Sequence, residues 1–393
     1  MNVAVPREII PGETRVALTP AGVAQLVKSK ATILVESGAG KAAGFDDKSY
    51  VAKGAQIVER AEVFGAADIL LQVRCGLNEE ELHEIRQECL VIGFCDPLGN
   101  PQGVAAAARR GVGLIAMEMI PRITRAQAMD ALSSQANIAG YKAVVLAAAA
   151  LPKIFPMLMT AAGTLQASRA FVIGAGVAGL QAIATAKRLG AVVSAFDVRA
   201  AVKEQVQSVG AKFVELPIET GNAQDKGGYA KAQSREQQER QAALMARIVG
   251  ESDIVITTAA VPGQSAPKLI PATAVAAMQA GSVIVDLAAE RGGNCELTEP
   301  GRTVVCNGVT IIGETNLPAT VPLHASSMYS NNLVKLLALL IDKEGKLKLD
   351  TSDEVIAGCL VAHRGEVTQA RIRDLLGAAK PALSSIAGEL VRA

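Results

Sequence analysis

The sequence predicts an α/β protein in which one doubly wound parallel sheet is inserted into a second, discontinuous α/β domain. Two observations support this fold class. The chain of 393 residues is long for a single hydrophobic core, and short apolar strands alternate with helical segments along most of it. A complete unit of strand, glycine-rich turn, helix and strand lies near the middle of the chain. We therefore expect one domain over 1–133 plus 322–393 and another over 134–321, with a ligand cleft between them.

The elements before residue 130 belong to the discontinuous domain. Continuous apolar runs, typical of parallel strands buried on both faces, predict strands at 2–5, 32–35, 69–73, 90–94 and 113–117. Helical periodicity predicts helices at 20–28 and 103–110, and a long helix over 127–151 that ends before Pro152. The length of this last helix suits a connection between two domains.

The segment from Gly174 to Gly179 reads GAGVAG and directly follows an apolar strand. In the pattern G-x-G-x-x-G the first glycine permits a tight turn, the second lets the backbone approach a pyrophosphate, and the third lets the next helix pack on its strand. The N-terminus of that helix, predicted at 180–189, favours an anion. We therefore expect two Rossmann-like domains, of which this one binds a dinucleotide; a glycine-rich turn without a ligand is the alternative.

Asp197 ends the next predicted strand. A carboxylate at that position can accept hydrogen bonds from an adenosine ribose. A 2′-phosphate on the same ribose would face a like charge. The position of Asp197 therefore favours NAD over NADP as the bound nucleotide.

The α/β pattern continues after Asp197. It predicts helices at 202–209, 241–249, 271–278 and 327–341, and strands at 212–215, 253–257, 283–286 and, as the last one, 309–313. A polar stretch at 219–240 interrupts this pattern and is longer than an ordinary connection. Gly227 and Gly228 give it hinge freedom, and Tyr229 offers a flat face with a polar tip. We expect a mobile loop that closes over a ligand; a passive surface insertion is the alternative.

Composition argues against several classes of protein. Lys plus Arg (39) balance Asp plus Glu (38) and aromatic residues make up only 3%, so no nucleic-acid partner is predicted. The longest apolar run, 143–151, is far shorter than the ~20 residues that span a bilayer. Cys75, His83, Cys89 and Cys95 match no usual zinc spacing, so we expect no metal.

A row of polar side chains recurs at steps of three and four residues, which predicts a common helix face. Its members are Gln127, Asp130, Ser134, Asn137 and Tyr141. Arg122 and Arg125 stand just ahead of it. Because amides and hydroxyls orient a ligand better than they solubilise a surface, we expect a ligand-facing row; a solvated helix face is the alternative.

Three further positions are candidates for ligand contact. Arg15 is either a substrate-binding guanidinium or a surface cation. The segment 257–267 follows a strand at its carboxyl end, where ligands bind open α/β sheets. Asp286 ends another strand and either lines the cleft or caps the turn that follows.

Several segments resemble the family of alanine dehydrogenase and the NAD(H)-binding domain of proton-translocating NAD(P) transhydrogenase. They are PREIIPGETRVALTPAGV, GAGVAG, TTAAVPGQSAPKLI, GSVIVDLAAERGGNC and ETNLPATVP. Three others resemble transhydrogenase in particular, namely PRITRAQAMDALSSQANIAGY, FDVRAAVKEQVQSVGAKF and the GGYAK loop. The similarity runs from end to end of the chain.

The resemblance implies a hydride carrier without acid–base chemistry of its own: NADH bound here gives hydride to NADP⁺ on a partner subunit. By motif match it implies that Arg122, Gln127 and Asp130 act at the reacting end. The NAD(H)-binding positions it implies are Ser133, Gly174, Gly176, Val177, Ala178, Gly179, Asp197, Val198, Arg199, Tyr229, Ala259 and Ala260. Ser133, rather than Ser134 of the polar row, matches the family motif.

The alternative within the same family is alanine dehydrogenase, which aminates pyruvate with NADH. Arg15 matches its substrate site, but Arg74 stands where that enzyme has a lysine, and the segment around Cys95 and Asp96 has no histidine. Without an imidazole the proton transfer lacks its general acid–base. A third possibility is a nucleotide-sensing or structural subunit without turnover.

The resemblance also implies partners and a location. The expected partners are an NADP(H)-binding subunit, a membrane subunit that conducts protons, and a second copy of this chain in a homodimer. Longer members of the family continue into membrane helices, whereas this sequence ends at Ala393. We therefore expect a split form, cytoplasmic and peripheral on the inner face of the membrane through its partners.

Overall fold

The structure is a computed structural model that describes residues 1–76, 79–215, 235–261 and 263–378. The chain divides into two compact units, which are Met1–Ser134 with Pro322–Ala393 (unit 1) and Gln135–Val321 (unit 2). The expected boundary at 133/134 lies one residue earlier than the observed one. Most of the predicted polar loop, including Tyr229, lies outside the described residues.

The strands, in chain order, are β1 (Asn2–Val5), β2 (Thr32–Glu36), β3 (Ala55–Val58), β4 (Ile69–Arg74), β5 (Leu90–Phe94), β6 (Gly113–Ala116), β7 (Leu158–Thr160), β8 (Gly163–Leu165), β9 (Arg169–Ile173), β10 (Val192–Phe196), β11 (Lys212–Phe213), β12 (Ile254–Thr257), β13 (Val283–Asp286), β14 (Thr303–Cys306), β15 (Val309–Ile312), β16 (Leu360–His363) and β17 (Glu366–Val367). The α-helices are α1 (Pro20–Leu26), α2 (Asp47–Val51), α3 (Arg60–Ala66), α4 (Glu79–Glu84), α5 (Pro101–Arg109), α6 (Ala131–Ala150), α7 (Val177–Arg188), α8 (Lys203–Ser208), α9 (Arg235–Gly250), α10 (Ala272–Ala276), α11 (Pro322–Leu340), α12 (Glu354–Cys359) and α13 (Ala370–Ala378).

The sheet of unit 1 has the strand order β17-β16-β6-β5-β4-β1-β2-β3. Its members β1 to β6 are mutually parallel, and β16 joins the edge antiparallel to β6. Strands such as β5 and β6 are almost wholly buried, because helices cover both faces of a parallel sheet. The predicted α/β layer is therefore confirmed, although 309–313 is not the last strand of the chain.

The sheet of unit 2 repeats the same arrangement with the order β11-β10-β9-β12-β13-β15-β14. All pairs are parallel except the hairpin of β14 and β15. In chain order the unit 1 sheet contains the Rossmann sequence 3-2-1-4-5-6, and the unit 2 sheet reads 3-2-1-4-5-7-6 because the hairpin strand β14 lies outside β15 at the edge. The order reverses between β1 and β4 in unit 1 and between β9 and β12 in unit 2. Ligands of such sheets bind at the carboxyl ends of the strands at this reversal, so each unit has one candidate ligand site of this kind.

The long helix predicted over 127–151 begins later than expected, at Ala131. Gln127 lies instead in a 3-10 segment, Thr124–Met129, and the carboxylate of Asp130 accepts a hydrogen bond from Ser133 N at 2.9 Å. A carboxylate ahead of a helix caps the first turn in this way. The prediction of a single helix face that carries Gln127 and Asp130 together with Ser134 is therefore wrong.

No helix within the described ranges combines the length and apolar character that crossing a membrane requires.

Candidate functional site

The glycine-rich turn joins β9 to α7 at the strand reversal of unit 2. Gly174 has φ of 92°, a left-handed conformation that favours glycine, and a Cβ there would lie 2.5 Å from Thr258 Oγ1. A Cβ on Gly179 would lie 1.8 Å from the carbonyl oxygen of Gly174, so α7 packs against the turn that precedes it. The predicted roles of the first and third glycines are thus explained by contacts within the protein.

Gly176 is different, because no contact within the described part of unit 2 demands a glycine there. Its φ is −77° and ψ is −166°, an ordinary extended conformation. The nearest described atom to a Cβ at this position is Arg199 Nη2, at 4.0 Å. Helix α7 begins at the next residue, Val177, three residues before the predicted start, so its first N–H groups surround this open space. The turn fits an anionic group that must approach the backbone closely, as a pyrophosphate does.

A second helix also approaches the turn closely. A Cβ on Gly140 of α6 would lie 2.1 Å from the carbonyl oxygen of Ala178. Sequence reasoning missed this glycine, although a glycine inside a long helix is a recognised sign of close packing. The start of α7 is therefore fixed from two sides.

Asp197 follows β10 directly and is 9% exposed. Its Oδ2 accepts hydrogen bonds from Ala175 N at 2.7 Å and from Arg199 Nη2 at 2.9 Å. Its Oδ1 accepts from Arg199 N at 2.8 Å and from Arg199 Nε at 2.9 Å. The structure thus brings together Asp197, Arg199 and the glycine turn, as predicted, but the carboxylate already has four donors within the protein. Val198, between them, packs partly buried on the core.

The loop after β12 forms the other side of the reversal point. Thr258 Oγ1 donates to the carbonyl oxygen of Gly174 at 3.0 Å. Asn294 holds Ala259 through both backbone groups: its Oδ1 accepts from Ala259 N at 3.1 Å and its Nδ2 donates to Ala259 O at 2.8 Å. Of the two predicted residues, Ala259 lies beside the glycine turn, with its N 3.4 Å from a Cβ at Gly174, and Ala260 follows it in the chain. Asn294, which the sequence did not single out, fixes their backbone.

Asp286 is fully buried and does not line an open surface. Its Oδ1 accepts a hydrogen bond from Ala288 N, two residues further on, so it caps the turn that follows β13, which is the alternative stated above. It accepts hydrogen bonds from two threonine hydroxyls, Thr257 Oγ1 at 2.9 Å and Thr298 Oγ1 at 2.7 Å. It also accepts from two backbone N–H groups, those of Ala288 and Cys295, each at 3.0 Å. Asp286 therefore ties the last residue of β12 to the segment that follows β13.

The residues expected at the reacting end lie in unit 1, around the 3-10 segment Thr124–Met129. Arg122 and Gln127 are exposed. Asp130 and Ser133 form a pair, in which Ser133 Oγ donates to Asp130 Oδ2 at 2.5 Å. This pair fixes the turn ahead of α6 and leaves Gln127 on the surface.

Two further contacts hold this segment in place. Arg125 makes a two-pronged ion pair with Asp353, with Nη1 and Nη2 at 2.7 and 2.9 Å from the two carboxylate oxygens. The guanidinium is the main cause that lowers the pKa of Asp353 to about 2. Ser134 is buried and donates to Asn332 Oδ1 at 2.7 Å, while Asn332 Nδ2 donates to Ala128 O at 2.9 Å. Ser134 therefore belongs to the support of the segment rather than to a ligand-facing row.

A buried ion pair lies near the reversal point of unit 1. Arg15 is buried and its Nε and Nη2 donate to Glu13 Oε1 and Oε2, both at 2.7 Å. The interpretation of Arg15 as a surface cation is therefore wrong. The three histidines of the chain, all within the described residues, lie in α4, in α11 and at the end of β16. The carboxyl ends of β4 and β5 carry Arg74 and Cys95 instead of an imidazole.

Glu8 lies at this same reversal point and accepts a hydrogen bond from Val73 N at 2.6 Å. Burial raises the pKa of Glu8 to about 8, against the lowering effect of the Val73 hydrogen bond. The folded protein thus keeps a proton that the unfolded chain releases near pH 4.5. The stability that this gives is present below pH 4.5 and is lost as the pH rises towards 8.

Replacing Glu8 with glutamine should therefore stabilise the protein more at pH 8 than at pH 5. The amide stays neutral and keeps an acceptor for Val73 N, so we expect a gain in the free energy of unfolding of about 1–2 kcal/mol at pH 8. Urea unfolding at both pH values measures it, with Glu344→Gln, at an exposed turn of unit 1, as the control. An equal effect at the two pH values contradicts the assignment.

Within the described ranges, no three His, Cys, Asp or Glu side chains gather closely enough to hold a metal ion.

Comparison with known proteins places this geometry in a family. The pattern described as the alanine dehydrogenase/PNT N-terminal domain matches residues 4–139, and the corresponding C-terminal domain matches residues 143–370. The chain is 46% identical over 374 residues to NAD(P) transhydrogenase subunit alpha of Cereibacter sphaeroides, covering 94% of this chain and 71% of that one. It is 45% identical over 374 residues to an NAD(P) transhydrogenase subunit alpha chain of Rhodospirillum rubrum, covering 93% and 97%.

A solved structure leads to the same family. The crystal structure of transhydrogenase from Sinorhizobium meliloti superposes with a TM-score of 0.84 at 43% identity, covering 93% of this chain and all of that one (100%). These matches confirm the resemblance predicted from the sequence motifs. The chain therefore belongs to the alanine dehydrogenase/PNT family of oxidoreductases, alongside the NAD(P) transhydrogenase alpha subunits.

Proposed function

We propose that this chain is the NAD(H)-binding subunit of a proton-translocating NAD(P) transhydrogenase. NADH bound to unit 2 supplies a hydride, and a partner subunit that binds NADP⁺ accepts it. A membrane subunit couples the transfer to proton movement. The chain itself is cytoplasmic and lies on the inner face of the membrane through these partners.

One observation carries the nucleotide part of the proposal. The backbone at Gly176 lies beside an open space, next to the N-terminus of α7 and near Asp197. No contact within the described part of unit 2 requires this space to stay open. A pyrophosphate fits beside such N–H groups, because the helix dipole and unpaired donors favour an anion. Val177, Ala178, Ala259 and Ala260 would line the nucleotide around it.

A second observation favours hydride transfer between nucleotides over amination of pyruvate. Alanine oxidation needs a general acid–base and an available guanidinium for the carboxylate of the substrate. In unit 1 the guanidinium of Arg15 is paired with Glu13, and Arg74 and Cys95 stand where a lysine and an imidazole would be required. The chemistry left to this chain is to bind, orient and release a nucleotide.

Reconstitution tests the function directly. The purified chain is mixed with the NADP(H)-binding and membrane subunits of its own complex, and NADH-dependent reduction of an NADP⁺ analogue is followed by absorbance. We expect turnover only when both nucleotide-binding subunits are present. Turnover with pyruvate and ammonium by the chain alone would make it an alanine dehydrogenase, and NADH binding without any hydride transfer would leave a nucleotide-sensing subunit.

Gln127 is our candidate for contact with both nucleotides, since it is exposed on a segment that the Arg125–Asp353 ion pair attaches to the start of α12. Gln127→Asn shortens the side chain by one methylene and keeps its chemistry. We expect hydride transfer in the complex to slow about tenfold, equivalent to about 1.4 kcal/mol in the barrier, because orientation of the reactants is lost.

The dissociation constant for NADH should change by less than about twofold in the same variant, since the contact matters during transfer. Stopped-flow transfer rates and calorimetry measure the two quantities, and Gln25→Asn, at an exposed position of α1, is the matched control. A loss of NADH affinity with an unchanged transfer rate would reduce Gln127 to an ordinary binding residue.

We propose further that the chain forms a homodimer through the hairpin of β7 and β8. A two-stranded sheet is marginal alone, and exposed apolar side chains mark interaction surfaces. On this hairpin Leu158, Met159 and Leu165 are 46%, 73% and 53% exposed. Sedimentation equilibrium should give twice the 40.6 kDa mass of the chain; a monomer at tens of micromolar would refute the homodimer.

A further inference from the structure

The carboxylate of Asp197 has no hydrogen-bonding capacity left for a ligand. An ionised carboxylate offers about four lone-pair positions. Here Oδ1 and Oδ2 each accept two hydrogen bonds, from Ala175 N, Arg199 N, Arg199 Nε and Arg199 Nη2. A ribose hydroxyl that donates to Asp197 must therefore displace one of these donors.

Two of these donors are backbone N–H groups, and the other two belong to the side chain of Arg199. Ala175 N belongs to the glycine turn, and Arg199 N belongs to the backbone directly after β10. The Arg199 guanidinium is a side-chain group that is 20% exposed, while the Asp197 side chain is 6% exposed. Rotation of the arginine side chain releases Asp197 and keeps every backbone contact.

The guanidinium also lies close to the phosphate turn. Arg199 Nη2 is the described atom nearest to a Cβ at Gly176, at 4.0 Å. In Rossmann domains an acid at the end of the second strand selects NAD, and an arginine nearby accommodates the 2′-phosphate of NADP. This chain has both residues, and each neutralises the other.

We infer that Arg199 is a specificity-determining residue. Its guanidinium occupies the carboxylate oxygens of Asp197 that a ribose would use, and it is displaced when NADH binds. The inference rests on the proposed nucleotide site of unit 2 and adds a residue to its selectivity. Affinity for NADH is reduced by the ion pair that must break. Discrimination against NADPH is reduced as well, because the displaced cation stays near the 2′-phosphate.

Arg199→Met tests this, since methionine keeps an unbranched apolar stem and lacks the charged fork. We expect NADH to bind about tenfold more tightly, since no ion pair has to be broken, a gain of about 1.4 kcal/mol. We expect NADPH to bind about tenfold more weakly, because its phosphate meets an uncompensated carboxylate. Calorimetry with NADH and NADPH on the full chain measures both constants.

Three further variants make the experiment specific. Arg188→Met removes one exposed cation from the end of α7, away from Asp197, and should leave both constants unchanged. Arg199→Lys keeps the charge without the fork, so its NADPH affinity should stay near that of the unaltered chain. Asp197→Asn releases the guanidinium and should bring NADPH affinity to at least that of NADH.

The outcomes separate the inference from the function it rests on. In one outcome the unaltered chain binds NADH and the Arg199→Met variant loses affinity for both nucleotides equally. That result would place Arg199 on the pyrophosphate and overturn the inference alone. In another outcome neither the unaltered chain nor any variant binds either nucleotide, and the melting temperatures are unchanged. That result would overturn the proposed function and the inference together. A general folding role for Arg199 would lower the melting temperature without altering the NADH to NADPH ratio, and this too would overturn the inference.

Discussion

Replacing Gly176 with alanine is expected to weaken NADH binding about a hundredfold, equivalent to about 2.7 kcal/mol, while the protein stays folded. The added methyl group meets no described protein atom closer than 4.0 Å and the backbone is extended, so the fold tolerates it. It projects instead into the space assigned to the pyrophosphate. The free energy of unfolding should change by less than about 1 kcal/mol, the difference between glycine and alanine ahead of a helix. Calorimetry and urea unfolding measure the two effects.

Gly179→Ala is the informative partner of this variant. Its methyl group would lie 1.8 Å from the carbonyl oxygen of Gly174, which is backbone and cannot move aside cheaply. Both stability and binding should therefore fall. If Gly176→Ala bound NADH as tightly as the unaltered chain, the phosphate turn would not be the nucleotide site.

Replacing Asp286 with alanine is expected to lower the free energy of unfolding of unit 2 by at least about 3 kcal/mol. The substitution leaves four buried donors, Thr257 Oγ1, Thr298 Oγ1, Ala288 N and Cys295 N, without their acceptor. An unpaired buried donor keeps the full cost of leaving water, and here the cost applies to several donors at once. Urea unfolding with a probe in unit 2 measures the loss.

Asp286→Asn separates acceptor capacity from size. The amide has the same shape as the carboxylate, but its NH₂ group would face two of the four donors. We therefore expect Asp286→Asn to recover only part of the stability that Asp286→Ala loses. Thr298→Val, which removes a single donor, should cost far less than Asp286→Ala. Equal stabilities for Asp286→Ala and the unaltered chain would show that these hydrogen bonds do not stabilise unit 2.

The sequence predicted the elements whose signals are local. Strands β5 and β13 were predicted with their observed bounds, because a continuous apolar run between polar residues specifies a buried parallel strand. The start of the long helix was misplaced, because a polar row at helical spacing resembles a helix even where a capping carboxylate interrupts it. Asp130 provides that interruption through its bond to Ser133 N.

By itself, the sequence determined the Rossmann fold class, the glycine-rich turn and the family, since each depends on residues that are neighbours along the chain. Only the tertiary structure decided the surroundings of the side chains. It showed that Arg199 donates three of the four hydrogen bonds that Asp197 accepts, that Glu13 neutralises Arg15, and that Asn294 holds Ala259 across 35 residues of sequence. The physical reason is that a charged or amide side chain takes its role from the groups that reach it in three dimensions. Strand order and loop packing bring those groups together, and neither is encoded in any short stretch of sequence.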